Sequence, residues 1–198
     1  MITVLCSTLG RPTLKFLVAS FVRQAKDTDR LVLIGSAKPG EPVWVPSRLH
    51  FGDERVSYVK GMADDWYGHG NVWRAHQRVV SPYWMWLGDD DVLLPGALDG
   101  FREHMWTGKL LVGGFRLPSG VRVYPARGIV SEPHRLSVGH MQAAIPKDWE
   151  MPDFSRMSDN GLFETLIDQH GIGEVLWLWD LDVSLVKIDK CPELTSVL

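Results

Sequence analysis

The sequence predicts an α/β fold: an open, mostly parallel sheet flanked by helices, with a mixed second half in the same compact unit. Three observations predict it. Two short apolar runs, residues 2–6 and 31–34, bracket a segment whose apolar residues recur at helical spacing. A third run, residues 83–87, is apolar on both faces, as a central parallel strand requires. Beyond residue 109 the strand-like runs are joined by short links rather than by crossover helices.

The elements come in this order. Residues 2–6 read as a buried strand, and residues 8–13 form a turn in which Gly10 gives freedom and Pro12 opens the next element. Leu14, Leu17, Val18, Phe21 and Val22 then mark one helix face, and residues 31–34 a second strand ended by Gly35 and Ser36. This is a β-α-β unit, whose usual solution is a right-handed crossover between parallel strands. A proline-rich loop spans residues 38–51, a third strand residues 55–59, and a polar loop residues 61–70. Val72, Trp73, His76, Val79 and Val80 predict a helix running to Ser81 and Pro82; the strand at 83–87 comes next, and Pro95 opens a helix to about Trp106. In the second half, strands are expected at 110–115, 120–124, within 137–145, at 175–179 and at 183–188, with a helix from about residue 160 to Gly171.

Composition sets the outer limits. The 198 residues are 45% apolar and 23% charged, an ordinary globular balance. A net charge of -3 does not imply strong electrostatic binding to nucleic acid. The two cysteines, Cys6 and Cys191, are far apart, which argues against a disulfide framework. With no leader-like segment and no run of membrane-spanning length, a soluble cytoplasmic protein is expected. Nine tryptophans are many for this length, and most are expected in the core. Trp66 and Trp149 lie beside acidic residues in loop-like context and are candidates for stacking on a sugar or a base.

The chemistry concentrates in Trp84-Met85-Trp86-Leu87-Gly88-Asp89-Asp90-Asp91, where an apolar strand delivers three carboxylates to one point. Adjacent carboxylates repel, and no Lys or Arg comes after them until Arg102, so a divalent cation is the natural counter-charge. The competing reading is one helix-capping Asp with the others in water. Open α/β sheets bind ligands beyond the carboxyl ends of their strands, where this run lies. In an extended segment Asp89 and Asp91 share a side and would approach one cation, leaving positions for phosphate oxygens of a nucleotide diphosphate, while Asp90 points elsewhere. Neither Gly-x-x-x-x-Gly-Lys-Ser/Thr nor Gly-x-Gly-x-x-Gly stands after the first strand, which argues against P-loop and dinucleotide sites.

Over about residues 1–171 the chain resembles GT-A-type glycosyltransferases, close in organisation to family 2. The resemblance is carried by Val4-Leu5-Cys6-Ser7-Thr8-Leu9-Gly10-Arg11-Pro12, by Gly68-His69-Gly70-Asn71 opening a helix, by the acidic run with Leu94-Pro95-Gly96-Ala97-Leu98 after it, and by Ser158-Asp159-Asn160 before a helix. It implies a single GT-A-like domain over 1–198, with a nucleotide-sugar-binding half (1–108) and an acceptor-binding, catalytic half (109–198). It further implies transfer of a sugar from a nucleotide-sugar donor, a UDP-sugar, with Mn²⁺ or Mg²⁺ as cofactor. Thr8, Leu9, Arg11, Asp89 and Asp90 would then face the nucleotide, Asp91 with Asp89 would hold the cation, and Asp159 would be the general base of an inverting transfer.

Two departures stand out: Ile34-Gly35-Ser36 lacks the Asp with which the family's second strand ends, and Ser158 replaces a Glu. Asp159 also suits a helix N-cap. His69 borders the expected donor cleft, and Arg74, four residues before Arg78 on one helix face, would reach a phosphate. His140, with Trp66 and Trp149, is an acceptor-side candidate. The acceptor is either a saccharide or, as in phage enzymes of this fold, a modified DNA base, for which Trp66, Arg127, His134 and Arg135 would form a local site. Two further readings stay open. One is a metal-dependent phosphoesterase or nuclease drawing extra carboxylates from Asp64, Asp65 and Asp153. The other is a binding module without catalysis.

Overall fold

The structure, a computed structural model, describes residues 1–47, 51–63, 68–123 and 140–185; for Arg122, Val123, Asp159 and Asn160 the description covers the backbone. The first half is β1 (Ile2–Thr8), α1 (Leu14–Gln24), β2 (Arg30–Ala37), β3 (Val56–Ala63), α2 (His69–His76), β4 (Tyr83–Trp86), β5 (Val92–Leu93) and α3 (Ala97–Arg102). The second is β6 (Leu110–Arg116), β7 (Arg122–Val123), β8 (Ala143–Pro146), α4 (Asp159–His170) and β9 (Val175–Leu185), with short 3-10 turns at Met105–Thr107, His140–Gln142 and Ile172–Glu174. Among the described residues one sheet has the strand order β3-β2-β1-β4-β8-β6-β9-β5, and β7 is added on β6.

The first four strands are parallel, with Leu5 opposite Trp86 and Thr8 opposite Gly35. β8 then runs antiparallel to both β4 and β6, so β6 and β9 point the same way as β4. A short link joins β6 to β7, but α4 stands between β8 and β9, so the short links expected throughout the second half hold only in part. Each strand's period-2 alternation feeds both faces. Val4, Cys6, Met85 and Leu87 pack with Leu17 and Phe21 of α1 and Leu98 and Phe101 of α3. Leu5, Trp84 and Trp86 pack on the other face with Val72 of α2 and with Phe163 and Leu166 of α4. No helix among the described residues is long and apolar enough to cross a membrane.

Several boundaries differ from the sequence pattern for local reasons. α2 stops at His76, because Arg78 and Val79 donate to Ala75 and His76, bonds that tighten the chain into turns. Likewise α3 covers only Ala97–Arg102, and the segment to Trp106 continues as tight turns that leave Trp106 84% exposed, outside the core expected for most tryptophans. β5 was not legible at all. It lies four strands from β4, about 19 Å in a flat sheet, yet only a turn separates the two in sequence, so the sheet must curl to pair Val92 with Leu185. β9 is one strand where two were expected. Its register against β6 slips between Val112 and Phe115, and Gly113 makes the slip possible: a Cβ there would sit 2.8 Å from the Leu181 carbonyl oxygen. Residues 186–188 and Cys191 lie outside the described residues.

His76 is buried among Trp73, Trp84 and Phe154, its ring stacked on Trp84 at 5.4 Å and its Nδ1 2.5 Å from the Trp73 carbonyl oxygen. A carbonyl only accepts, so Nδ1 carries the proton of the neutral ring. Burial first, then the Lys147 charge, pushes the ring's pKa below its ordinary value, with the Trp73 bond opposing. The folded state thus prefers neutral His76, so this contribution is full above about pH 6.5 and is lost as pH falls through the depressed folded value. Thermal unfolding of wild type is therefore expected to weaken between pH 7 and 5 more steeply than that of His76→Phe. Parallel pH profiles would refute the role.

Candidate functional site

The carboxylate run leaves the sheet where β1 and β4 end side by side. Leu87 N–H donates to the Leu5 carbonyl at 3.0 Å, the last rung before the chain turns at Gly88. Asp91 N–H then bonds back to the Gly88 carbonyl at 3.2 Å, so the segment is a turn and not an extended strand. That replaces the extended geometry from which a shared side for Asp89 and Asp91 was expected, and Asp89 and Asp90 meet one partner. It is Arg11, whose guanidinium lies 2.9 Å from Asp90 and 3.4 Å from Asp89. A counter-charge invisible in the local sequence thus arrives from the loop after β1.

Asp89, 4% exposed, is the hub of that loop. Its Oδ2 accepts from Thr8 Oγ1 at 2.8 Å and from Leu9 N–H at 2.9 Å, and its carbonyl accepts from Thr13 Oγ1 at 2.8 Å. Thr8 Oγ1 in turn accepts from Gly10 N–H. Hydrogen bonds to a charged partner are worth about 1.5–3 kcal/mol each, so this loop is held rigidly against the carboxylate. Gly10 has φ 77° and lies under the Trp44 ring, which a Cβ would meet at 2.0 Å. Thr13 was not singled out from sequence; its place directly after Arg11-Pro12 was the only signal.

Asp91 is 3% exposed, and its Oδ2 accepts from Gly88 N–H at 2.8 Å. The electrostatic character of the cluster is registered by Cys6 behind it. Burial first, then Asp89, Asp91 and Asp90, raise the thiol's pKa well above its ordinary value, and Arg11 offsets only part. Among the described residues no group of three or more His, Cys, Asp or Glu side chains assembles as a metal site. Both lone pairs of Asp89 Oδ2 are occupied, so a cation at that carboxylate would have to use its Oδ1. A cation there would draw its other ligands from water and a bound phosphate, as Mg²⁺-type sites do.

The second wall comes from α2 and the start of β8. Gly68, at φ 86°, rests on Ser7, whose side-chain oxygen a Cβ would meet at 2.1 Å, and lets α2 begin against the end of β1. His69 packs edge-on against Trp86 at 4.5 Å, and His140 stacks on the same ring at 4.1 Å. Arg74 bonds to Asn71 Oδ1 at 2.8 Å; Asn71 also binds Ser36 Oγ at 3.1 Å and the Met62 backbone, tying α2 to the ends of β2 and β3.

α4 is capped by Ser158, whose Oγ accepts from Gly161 N–H at 3.1 Å, so the capping role falls to Ser158 and not to Asp159. Helix α4 ends where β9, parallel to β4, begins, so its last residue lies at the edge opposite the carboxylates. The Asp159 side chain itself lies outside the described atoms. Trp149 comes after the end of β8, where Pro146 pairs with Tyr83 at the start of β4; it stacks on His170 at 4.0 Å, away from the carboxylates. Asp153 is engaged by Ser155 N–H at 2.9 Å in its own loop. Trp66, Arg127, His134 and Arg135, and the Asp64–Asp65 pair, lie outside the described residues.

No protein-family profile and no curated protein sequence matches the chain. Solved structures do. S. aureus TarS matches with a TM-score of 0.69 at 10% identity, over 94% of this chain and 36% of TarS. TarS 1–349 in complex with UDP-GlcNAc gives 0.64 at 10% identity, over 93% and 58%. Glucosyl-3-phosphoglycerate synthase from Mycobacterium tuberculosis, in complex with Mn²⁺, UDP and phosphoglyceric acid, gives 0.59 at 13% identity, over 99% and 75%. The chain thus spans well under two thirds of either TarS structure. At these identities the likeness is one of fold: the chain has the fold of GT-A-type glycosyltransferases.

Proposed function

We propose that this chain is a glycosyltransferase that takes a sugar from a nucleotide-sugar, a UDP-sugar, and passes it to an acceptor hydroxyl. The observation that carries the reading is the binding of the β1 loop to the carboxylate run through Thr8, Leu9, Arg11 and Asp89. This joins a rigid rim to a negative cluster at the edge where an α/β sheet takes its ligand. The neighbours of the same fold crystallised with UDP, UDP-GlcNAc and Mn²⁺ support the choice of donor and ion.

In this reading residues 1–108 hold the donor and residues 109–198 the acceptor. Thr8, Leu9, Arg11 and Asp89 face the nucleoside, His69 and Arg74 border it, and Asp91 holds Mn²⁺ or Mg²⁺. A bound cation supplies positive charge for the departing diphosphate. Asp159 accepts the proton of the acceptor hydroxyl as that oxygen attacks the anomeric carbon and the bond to the diphosphate breaks, which inverts the configuration. The direction of α4 and the capping by Ser158, which releases Asp159 from that duty, support this assignment. His140, on Trp86, is the acceptor-side residue the geometry favours, and a saccharide or a modified DNA base is the acceptor.

Calorimetric titration with UDP and a panel of UDP-sugars, with and without Mn²⁺, tests the donor half. Binding that strengthens with Mn²⁺ is expected. Absence of binding to every nucleotide and nucleotide-sugar would end the proposal. Binding without turnover over a panel of saccharide and DNA acceptors would leave a binding module.

A further inference from the structure

Gln142 closes the short turn His140–Gln142 and opens onto β8. It is fully buried, and among the described residues neither its amide oxygen nor its amide nitrogen has a hydrogen-bond partner. A primary amide brings two donors and an acceptor, and native folds rarely leave such a group unsatisfied without a functional reason.

Its place in the sheet suggests one. Ala144 pairs with Met85 and Ala143 with Val112, so Gln142, directly before Ala143, stands where the chain enters the sheet between β4 and β6, at the end where β4 leads into the carboxylate turn. On the other side, Ser184 Oγ of β9 donates to the Met141 carbonyl at 3.0 Å, and Ser184 pairs with Leu93, just beyond Asp91. β8 is the neighbour of β4 opposite to β1. A donor whose nucleoside lies against Arg11 and whose phosphates lie at the carboxylates would carry its sugar toward the start of β8.

We propose that Gln142 is a specificity-determining residue that reads hydroxyls of the transferred sugar. The inference rests on the nucleotide-sugar reading of the site. The amide matches a sugar hydroxyl, which both donates and accepts. Bringing the two together takes a shift of the turn His140–Gln142, a single turn of 3-10 geometry with weaker bonds than an α-helix. The free protein then holds the amide without partners, and the donor supplies them.

The test compares two ligands on two variants, by calorimetry with Mn²⁺ present, using UDP and the UDP-sugar that wild type binds best. Gln142→Met removes the amide at similar volume, and Gln142→Asn shortens it by one methylene. Gln142→Met is expected to melt no lower than wild type, because an unsatisfied polar group has been removed. Both variants are expected to bind UDP within about twofold of wild type and to weaken for the UDP-sugar by about tenfold, the loss of one or two hydrogen bonds. Unchanged affinity for the sugar donor, or equal weakening for both ligands, would overturn the role of Gln142. Failure of wild type to bind either ligand would instead overturn the nucleotide-sugar reading, and this inference with it. If Gln142→Met does not fold, Gln142→Asn carries the same comparison.

Discussion

Asp91→Asn is expected to lower the rate of sugar transfer by about 10²–10³-fold, the scale of removing one preorganised electrostatic group at a reacting centre, and to abolish its dependence on Mn²⁺. The substitution is chosen to spare the turn. Asparagine keeps an oxygen to accept from Gly88 N–H, the bond that Asp91 makes at 2.8 Å. What is lost is the charge, at a side chain only 3% exposed where water screens little. Asp90→Asn is the control. Asp90 is more exposed and serves as a partner of Arg11 at 2.9 Å, so a loss under about tenfold is expected, in keeping with the modest worth of exposed pairs. Initial rates against Mn²⁺ concentration, with melting curves to show that both variants fold, decide the matter. Full activity in Asp91→Asn would remove the cation from that residue. A larger loss in Asp90→Asn would shift the centre of the site to the Arg11 pair.

The largest stability effect is expected far from the carboxylate edge, at Asp29. This carboxylate is fully buried and accepts from Ile2 N–H and Lys26 N–H, each at 2.8 Å, while the Arg102 guanidinium is bonded to it. It therefore ties the first residue of β1, the turn after α1 and the end of α3. Asp29→Ala strands two backbone donors and takes from the nearly buried Arg102 guanidinium its buried carboxylate, leaving it Asp99 and the Gln24 carbonyl. Removing one member of such a pair costs about 3–5 kcal/mol, which for a domain of this size lowers the melting temperature by about 6–20 °C. Arg102→Met added to Asp29→Ala is expected to recover part of the loss, because a nearly buried charge without its buried counter-charge leaves with it. Urea melts of the two single variants and the double variant measure this. A loss under about 1 kcal/mol for Asp29→Ala, or strict additivity in the double variant, would show that the pair does not hold the fold.

Neither Asp29 nor its partners could be read from the sequence, where residues 27–30 are only a break in the pattern. Ile2 and Arg102 stand 27 and 73 residues from Asp29 along the chain. The same distance hid Arg11 from the carboxylates, since nothing within ten residues after Asp91 supplies a cation and the one that does comes from the β1 loop. Period-2 reasoning sent Asp89 and Asp91 to one side. A residue pattern cannot tell whether the chain stays extended past Gly88, and the Asp91–Gly88 bond shows that it turns. β5, two residues long, was missed because so short a strand exists only through the partner that pairs it, and the runs at 175–179 and 183–188 belong to one strand because pairing with β6 continues between them.

What could be read was whatever nearest neighbours along the chain encode. The apolar periods of β1, α1, β2 and β4, the glycine at the β1 turn and the three adjacent carboxylates at a strand end are all local. Local spacing is a direct record of which face a side chain takes. The α/β frame, and the sheet edge that carries the carboxylates, derive from these alone. Which groups meet at that edge is a matter of packing over long loops. Arg11 comes onto Asp90, Thr13 onto the Asp89 backbone, Trp86 between two histidines and Gln142 behind the turn because the sheet brings together residues tens of positions apart. Those contacts depend on strand order and register, which no window of the sequence contains.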